Sequence, residues 1–346
     1  MDKFELLTEE IKKKYTSLAI KSQTGLDLFV EERHLIPNIK YFSDTIINYV
    51  NNYIKNNRGI RNSVNYRNEK YISVESYQIV LNENDFDQDK VFFTNFNIIL
   101  NLSVDHNNGN TLYFEGEYSR VNTVTKIVDI NGRKFLSDAN INLNIIASMQ
   151  HINETLSLMV YHEFTHAYED YKRMLNSKKE DSISNYLLNS GTGYLNAFND
   201  EYKTREGKIL SDIIYLIMKM ETNAFASEAI KFISNYNNRT PHREFSRSDI
   251  NKLLPQCHAY RLFMISFTKL EELKGYIGDD YMEKLFVNLA NSTFGKDRNG
   301  KKRYTSLQQL YNDLYNRLKI GLDKLIGIID KELNSKVIRE NKTIYD

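Results

Sequence analysis

The sequence predicts an α+β fold, with a sheet in the N-terminal half and helices in the C-terminal half. Between residues 71 and 146, segments rich in β-branched and aromatic residues alternate with turn-like pieces such as Asn131-Gly132. From about residue 153 onward the apolar residues recur at helical spacing. Strands and helices that are segregated along a chain in this way are typical of α+β proteins.

The region 1–140 is expected to hold two helices followed by a sheet that is antiparallel or mixed. The helices are expected at residues 2–17 and from Ile39 to about Lys55, and the strands at 71–81, 91–104, 111–118 and 121–130. A further short strand, from Ile141 to Ile146, directly precedes the most strongly marked helix.

The region 141–346 is expected to continue with long helices. They are expected at residues 153–175, 207–235, 248–274, 279–291 and 305–333. Pro255 is expected to mark a helix start. Because no linker separates the two regions, a single continuous domain is compatible with the pattern.

Composition and charge argue against several classes of protein. A net charge of +1 argues against a dedicated nucleic-acid binder. Cys257 is the one cysteine, which excludes an intrachain disulfide and a thiolate zinc site. There is no apolar run long enough to span a bilayer and no apolar signal-peptide core near Met1. We therefore expect no membrane partner and a cytoplasmic location. A protein of a phage particle that assembles in a cytosol would show the same sequence features.

The most informative stretch is His162-Glu163-Phe164-Thr165-His166, an H-E-x-x-H sequence within a predicted helix. Residues four apart lie on one helix face, so both imidazoles can reach one metal ion at roughly 2.0–2.1 Å. Glu163 lies one step round the helix, where it is placed to polarise a metal-bound water instead of binding the metal. The pattern therefore predicts a zinc hydrolase site.

The periodicity around the motif supports this interpretation. Apolar residues at i, i+4, i+7, i+11 and i+14 form one stripe: Val160, Phe164, Ala167, Tyr171 and Met174. At about 100° per residue, His162 and His166 lie roughly opposite that stripe. One helix face is thus expected to pack on a core and the other to open into a cleft. Two unrelated surface histidines would explain neither the spacing nor this geometry.

A catalytic zinc site needs a third protein ligand and an open position for water. With one cysteine and 7 histidines in the chain, a carboxylate is the natural candidate. Glu221 fits best, because it lies on a strongly helical segment among apolar residues, where a buried acid needs a partner. Small side chains at Ala224 and Ala226 would let this helix approach the motif helix closely. A solvent-exposed helix acid is the alternative interpretation of Glu221.

Other acids compete for the third position. Glu228 lies seven residues further on, on the same helix face, and is an alternative ligand or a partner of one. Glu169 and Asp170 are too close to His166 on the same helix to complete a tetrahedral site easily. Asp200 is a weaker candidate in a polar stretch.

The motif and the later segment Glu221-Thr222-Asn223-Ala224-Phe225-Ala226 together resemble the gluzincin type of zinc metallopeptidase. Within that group, the second segment is similar to the Glu-Ala-Asn-x-Phe-Ala block of the ImmA/IrrE metallopeptidases. The resemblance covers about residues 141–235. It implies a zincin-like fold, with His162, His166 and Glu221 as ligands of Zn²⁺ and Glu163 as base. The gap between the motifs is longer than usual and residues 1–140 have no counterpart, so the repressor cleavage associated with that family does not carry over.

A peptidase also needs a donor for the oxyanion of its tetrahedral intermediate. His258, Tyr260 and His242 lie downstream of the third ligand, and His258 and Tyr260 are the preferred catalytic candidates. A lone histidine or tyrosine is more often structural, and 24 tyrosines in the chain weaken any single choice. Asn223 and Asp170 are candidate hydrogen-bond partners of the ligand imidazoles.

Together these observations predict a zinc-dependent metallopeptidase that acts on a peptide or protein substrate. The strand Ile141–Ile146 is expected to hold an extended substrate as an edge strand, and the polar segment 176–206 is expected to act as a lid. The alternative is a structural or interaction protein, such as a virion or mobile-element component, with a structural or inactive metal site. A non-peptide zinc hydrolase is compatible with the same ligands.

Overall fold

A computed structural model describes residues 39–66, 70–106, 111–120, 125–176, 205–217, 219–239, 247–294 and 302–343. The helix predicted at residues 2–17 and nearly all of the predicted lid lie outside these ranges. The strands are β1 (Ile60–Tyr66), β2 (Lys70–Asn82), β3 (Phe93–Asp105), β4 (Thr111–Arg120), β5 (Lys126–Ile130) and β6 (Arg133–Ser148). The helices are α1 (Ile39–Asn56), α2 (Ile152–Asn176), α3 (Arg205–Ile217), α4 (Lys219–Arg239), α5 (Arg247–Leu253), α6 (His258–Lys274), α7 (Asp280–Phe294) and α8 (Leu307–Thr343).

The architecture is α+β with a mixed sheet, as the sequence predicts. The strand order is β1-β2-β3-β6-β4. Strand β5 pairs with residues 133–137 of β6, and β4 pairs with residues 139–147 of the same strand. Strands β3 and β6 are parallel, whereas the other pairs are antiparallel. The prediction of a short edge strand at Ile141–Ile146 is wrong, because these residues belong to the 16-residue strand β6 in the sheet interior. On this side of the sheet the edge strand is β4, and β1 forms the opposite edge.

One face of the sheet forms a core with α1 and α2, and the other face is polar. Side chains of β6 alternate between the faces, so that Leu143 is buried and Asn144 is not. On the polar face, Nδ2 of Asn101 donates to Oδ1 of Asn144 at 2.8 Å. In the core, the rings of Phe42 from α1 and Phe164 from α2 are 4.4 Å apart between centroids. The sheet thus holds α2 in a fixed position.

Helices α3 to α8 enclose a second core. The helix predicted at 207–235 is divided into α3 and α4, and Pro255 lies in a 3-10 turn, Leu254–Gln256, just before α6. Helix α4 packs on both α2 and α8, so the α2–α4 contact joins the two cores. The predicted boundary between residues 140 and 141 falls within β6. No helix in the described ranges has the length and the apolar composition needed to cross a membrane.

Candidate metal centre

Helix α2 carries the H-E-x-x-H residues between the sheet and α4. Its apolar stripe lies on the sheet core as the spacing predicts, with fully buried side chains at Val160, Phe164 and Ala167. His162 and His166 leave the other side of the helix, toward α4, and each is 8% exposed. Glu163 is 5% exposed. Three polar side chains are therefore buried in one turn of a single helix.

Helix α4 brings a third side chain to the two histidines. Glu221, in the first turn of α4, places Oε2 3.6 Å from Nε2 of His162 and 3.6 Å from Nε2 of His166. The two Nε2 atoms lie 3.3 Å apart. Ligand atoms of a tetrahedral zinc site with bonds of roughly 2.0–2.1 Å are separated by roughly 3.3–3.4 Å. The three atoms thus already have nearly the spacing that a single ion requires.

Two buried polar atoms of this group have no hydrogen-bond partner among the described residues, Oε2 of Glu221 and Nδ1 of His166. A buried acceptor that lacks a partner is costly, so such an atom needs an explanation. A cation held between the two Nε2 atoms and Oε2 would satisfy the carboxylate. Two imidazoles and a carboxylate are a donor set that zinc accepts. The group is thus a buried His-His-Glu cluster that can hold a metal ion.

Opposite charges converge on the cluster. Burial lowers the pKa of His162, but the carboxylates of Glu221 and Glu228 outweigh burial and raise that pKa to about 10. Burial likewise raises the pKa of Glu221, but His166 and His162 hold it well below its ordinary value. Without a metal, the carboxylate therefore stays ionised against a protonated imidazole. Metal binding would release that proton, because only the neutral imidazole is a ligand.

The edge strand β4 passes directly over Glu163. The backbone N–H of Tyr118 faces the Glu163 carboxylate and lowers its pKa. Gly116 faces the same side chain, and a Cβ atom at this position would lie 2.8 Å from both Cγ and Cδ of Glu163. Burial raises the pKa of Glu163, in the direction that suits a general base near neutral pH. Strand and helix together fix this carboxylate.

Glu228, predicted as an alternative ligand or a partner of one, lies behind His162 and not among the three converging atoms. Its Oε2 is 3.6 Å from Nδ1 of His162, the ring nitrogen that does not face Glu221. Its Oε1 accepts a hydrogen bond from Nδ1 of His258 at 3.1 Å. Burial raises the pKa of Glu228, but the two histidines outweigh burial and lower it to about 2. The predicted residue His258 is thus connected to the cluster by Glu228, which contacts both His258 and His162.

His258 also lies beside the edge strand. Its ring meets the ring of Phe114 from β4 edge-on, with 4.6 Å between centroids. The ring of Phe225 is 4.7 Å from that of His162 and 6.3 Å from that of His258. The His258 side chain is 25% exposed. It therefore connects the buried cluster to the surface at the edge of the sheet.

Comparisons with protein-family models, with curated proteins and with solved structures give no match. The similarity of the two motifs to gluzincin metallopeptidases therefore stays a prediction. What the cluster can do is argued below from the geometry and chemistry of its own residues.

The sequence analysis missed Tyr215 on α3. The Tyr215 hydroxyl lies next to the Glu221 carboxylate. Burial, together with the nearby carboxylates of Glu221, Glu163 and Glu228, raises the pKa of this phenol well above its ordinary value. A phenol that stays protonated beside a ligand of the cluster is a ready hydrogen-bond donor. No motif marks it among 24 tyrosines.

Tyr260, the other predicted catalytic residue, packs against the helical core. It is half-buried among the side chains of α3 to α8, and burial raises the pKa of its hydroxyl. No described contact places it at the cluster. His242 and Asp200 lie outside the described residues.

The two residues predicted to support the ligand imidazoles make other contacts. Asp170, fully buried, accepts hydrogen bonds from Oη of Tyr118 at 2.7 Å and from Nε of Arg120 at 2.6 Å. Nδ2 of Asn223 donates to Oε1 of Glu169. The first contact fastens α2 to the edge strand, and the second fastens α2 to α4. Both therefore stabilise the packing around the cluster instead of orienting an imidazole.

Cys257, which precedes His258, should be chemically inert in the folded protein. Burial raises the pKa of its thiol to about 12. Because the thiolate is the reactive form, alkylation at pH 8 should be slower than that of an ordinary cysteine by on the order of 10³-fold. The rate should keep rising about tenfold per pH unit up to the raised pKa. Iodoacetamide labelling, followed by mass spectrometry, tests this on the native and the unfolded chain. Equal rates in the two states would contradict it.

Proposed function

We propose that this chain is a zinc-dependent metallopeptidase that hydrolyses peptide bonds. The observation that carries the proposal is the convergence of Nε2 of His162, Nε2 of His166 and Oε2 of Glu221 beside a separate buried acid. Structural zinc sites are closed by four protein ligands, whereas catalytic sites keep one position open. The described residues offer three converging ligands, which supports a catalytic site.

His162, His166 and Glu221 would hold Zn²⁺. When bound, zinc would act as a Lewis acid toward water and the scissile carbonyl. Glu163 takes a proton from the attacking water and delivers a proton to the amine that leaves. The Tyr118 N–H keeps the Glu163 carboxylate in place for both transfers.

The negative charge that develops on the carbonyl oxygen needs hydrogen-bond donors that are already in place. Two side chains at the cluster can supply them. Tyr215 presents a protonated phenol beside Glu221. His258, whose Nδ1–H donates to Glu228, can supply the second donor through Nε2 when both ring nitrogens carry a proton.

The edge strand β4 supports a peptide substrate. The N–H of Tyr118 points away from β6 to reach Glu163. Since backbone groups alternate along a strand, those of Gly116 and Phe114 point outward as well. An extended peptide can add to such an edge by β-augmentation and would then cross Glu163. This role replaces the one predicted for Ile141–Ile146, which β3 and β4 flank on both sides.

Metal content is the first test of the proposal. Wild-type protein, purified without chelators, is expected to carry about one zinc per chain, and His166→Ala and Glu221→Ala are expected to lose it. Inductively coupled plasma mass spectrometry measures the stoichiometry. Glu154→Ala, an acid substitution on the first turn of α2, is the matched control and should keep the zinc. A metal-free wild type would refute the proposal, and zinc retained in Glu221→Ala would move the third ligand elsewhere.

A further inference from the structure

We propose that Glu228 is a positioning residue that holds two imidazoles at once, that of His162 at the metal cluster and that of His258 beside the edge strand. The inference rests on the proposed function and deepens it. One buried carboxylate would then fix both a metal ligand and a residue that faces the substrate.

The first contact determines which ring nitrogen of His162 carries the proton. Oε2 of Glu228 is at ion-pair distance, 3.6 Å, from Nδ1 of His162. A neutral imidazole carries one proton, and an acceptor beside Nδ1 keeps the proton there. The lone pair then lies on Nε2, which is the atom that converges with His166 and Glu221. Glu228 therefore selects the tautomer of His162 that can bind a metal.

The second contact sets the direction of His258. Oε1 of Glu228 accepts from Nδ1 of His258 at 3.1 Å, and Glu228 itself is 3% exposed. With Nδ1 held by Glu228, Nε2 is the other ring nitrogen, and the side chain is 25% exposed. The ring lies beside Phe114, two residues from the glycine that faces Glu163. Glu228 thus holds the His258 ring beside the substrate strand with Nε2 as its second polar atom.

The two contacts use different oxygens, which gives a chemical test. A carboxylate has two acceptor oxygens, whereas a glutamine amide has one acceptor and an NH₂ donor. Glu228→Gln keeps the shape of the side chain but can serve only one of the two Nδ1–H groups. Glu228→Ala serves neither. A residue that merely fills space would tolerate the glutamine.

Zinc affinity tests the contact with His162. Competition with a chromophoric chelator, using zinc alone as probe, should show affinity 10–100-fold weaker in Glu228→Ala, as is typical when a partner of a ligand imidazole is lost. His258→Ala should bind zinc as wild type does. Glu271→Ala is the matched control, because it makes the same change on α6, the helix that carries His258. Wild-type affinity in Glu228→Ala would overturn the proposal.

The imidazole tautomers test both contacts at once. In ¹⁵N-labelled, zinc-loaded wild type, nitrogen–proton correlation spectra should show a proton on Nδ1 of His162 and on Nδ1 of His258. The chain has 7 histidines, and His258→Ala assigns the signal of that residue. Glu228→Gln should change the tautomer or exchange rate of at least one of the two rings. An unprotonated Nδ1 on either ring of the wild type would overturn the proposal even if no variant folds.

Neither readout needs turnover, so this proposal and the proposed function can fail separately. If a cleaved peptide is found, Glu228→Ala and His258→Ala should lower kcat at saturating zinc with little change in KM. The double variant should then be no slower than Glu228→Ala, because residues that act as a unit are not additive. Additive losses would overturn the coupling. Correct tautomers and zinc affinities without any hydrolysis would support the positioning role and refute the peptidase.

Discussion

Glu163→Gln is expected to abolish peptide hydrolysis while the zinc stays bound. The Glu163 carboxylate lies beside the three converging ligand atoms, so its loss removes no ligand. An amide cannot accept the proton of the attacking water, and a positioned general base is worth about 10²–10⁴-fold in rate. The ratio kcat/KM on a fluorogenic peptide library, at equal zinc occupancy, measures the effect.

Glu154→Gln is the matched control for this experiment. It makes the same chemical change on α2, nine residues and about 13.5 Å along the helix from Glu163. The alternative function, a structural metal site, predicts equal behaviour of the two variants, because a structural site has no use for a base. Turnover by Glu163→Gln at the wild-type rate would contradict the role of Glu163 as general base, and a zinc-loaded wild type without turnover would contradict the peptidase proposal.

The part of the cluster that lies on one helix could be predicted from the sequence. The helical period alone brings His162 and His166 to one side of α2 and puts Phe164 on the sheet. Glu221 comes from another helix, and its prediction depended on its apolar neighbours and on the resemblance of the short segment Glu221–Ala226. The buried side chains of Ala224 and Ala226 agree with the close approach of α4 that was expected from their size.

The position of each strand within the sheet could not be predicted locally. The alternation in β6 shows that one face is buried, but it carries no information about which strands flank it. The parallel pairing of β3 with β6 skips two strands in the chain, so β4 becomes the edge and residues 141–146 do not. Strand β1 was missed because residues 60–63 are all exposed and show no buried alternate positions.

The roles of residues that position other side chains could not be predicted from the sequence. Glu228 was predicted as an alternative ligand or a partner of one from its place on the helix face of Glu221, but its contacts with two histidines depend on the packing of α2, α4 and α6. Tyr215 reaches Glu221 from a separate helix. Tyr260 was as plausible as His258 from its position in the chain, yet it packs against the helical core. Composition cannot separate such residues, because their roles are set by tertiary contacts.

Gly116→Ala is expected to cause the second large loss of activity, although residue 116 is not one of the proposed metal ligands. An added methyl group would lie 2.8 Å from Cγ and Cδ of Glu163 and closer still to Oε1. Either the carboxylate or the edge strand must move. A misplacement of about 1 Å in a catalytic group can cost about 10²-fold in rate. We therefore expect kcat to fall by about that factor at full zinc occupancy.

A shorter acid at position 163 separates this steric cause from a general loss of folding. Glu163→Asp alone should lower kcat, because it withdraws the carboxylate from the Tyr118 N–H. In the Gly116→Ala background, the same change removes the methylene that the new methyl group meets, so its additional cost should be smaller. Glu117→Ala, an exposed neighbour on the same strand, should leave kcat unchanged. Strictly additive losses, or a fall in melting temperature that accounts for the lost activity, would show that Gly116 does not act through Glu163.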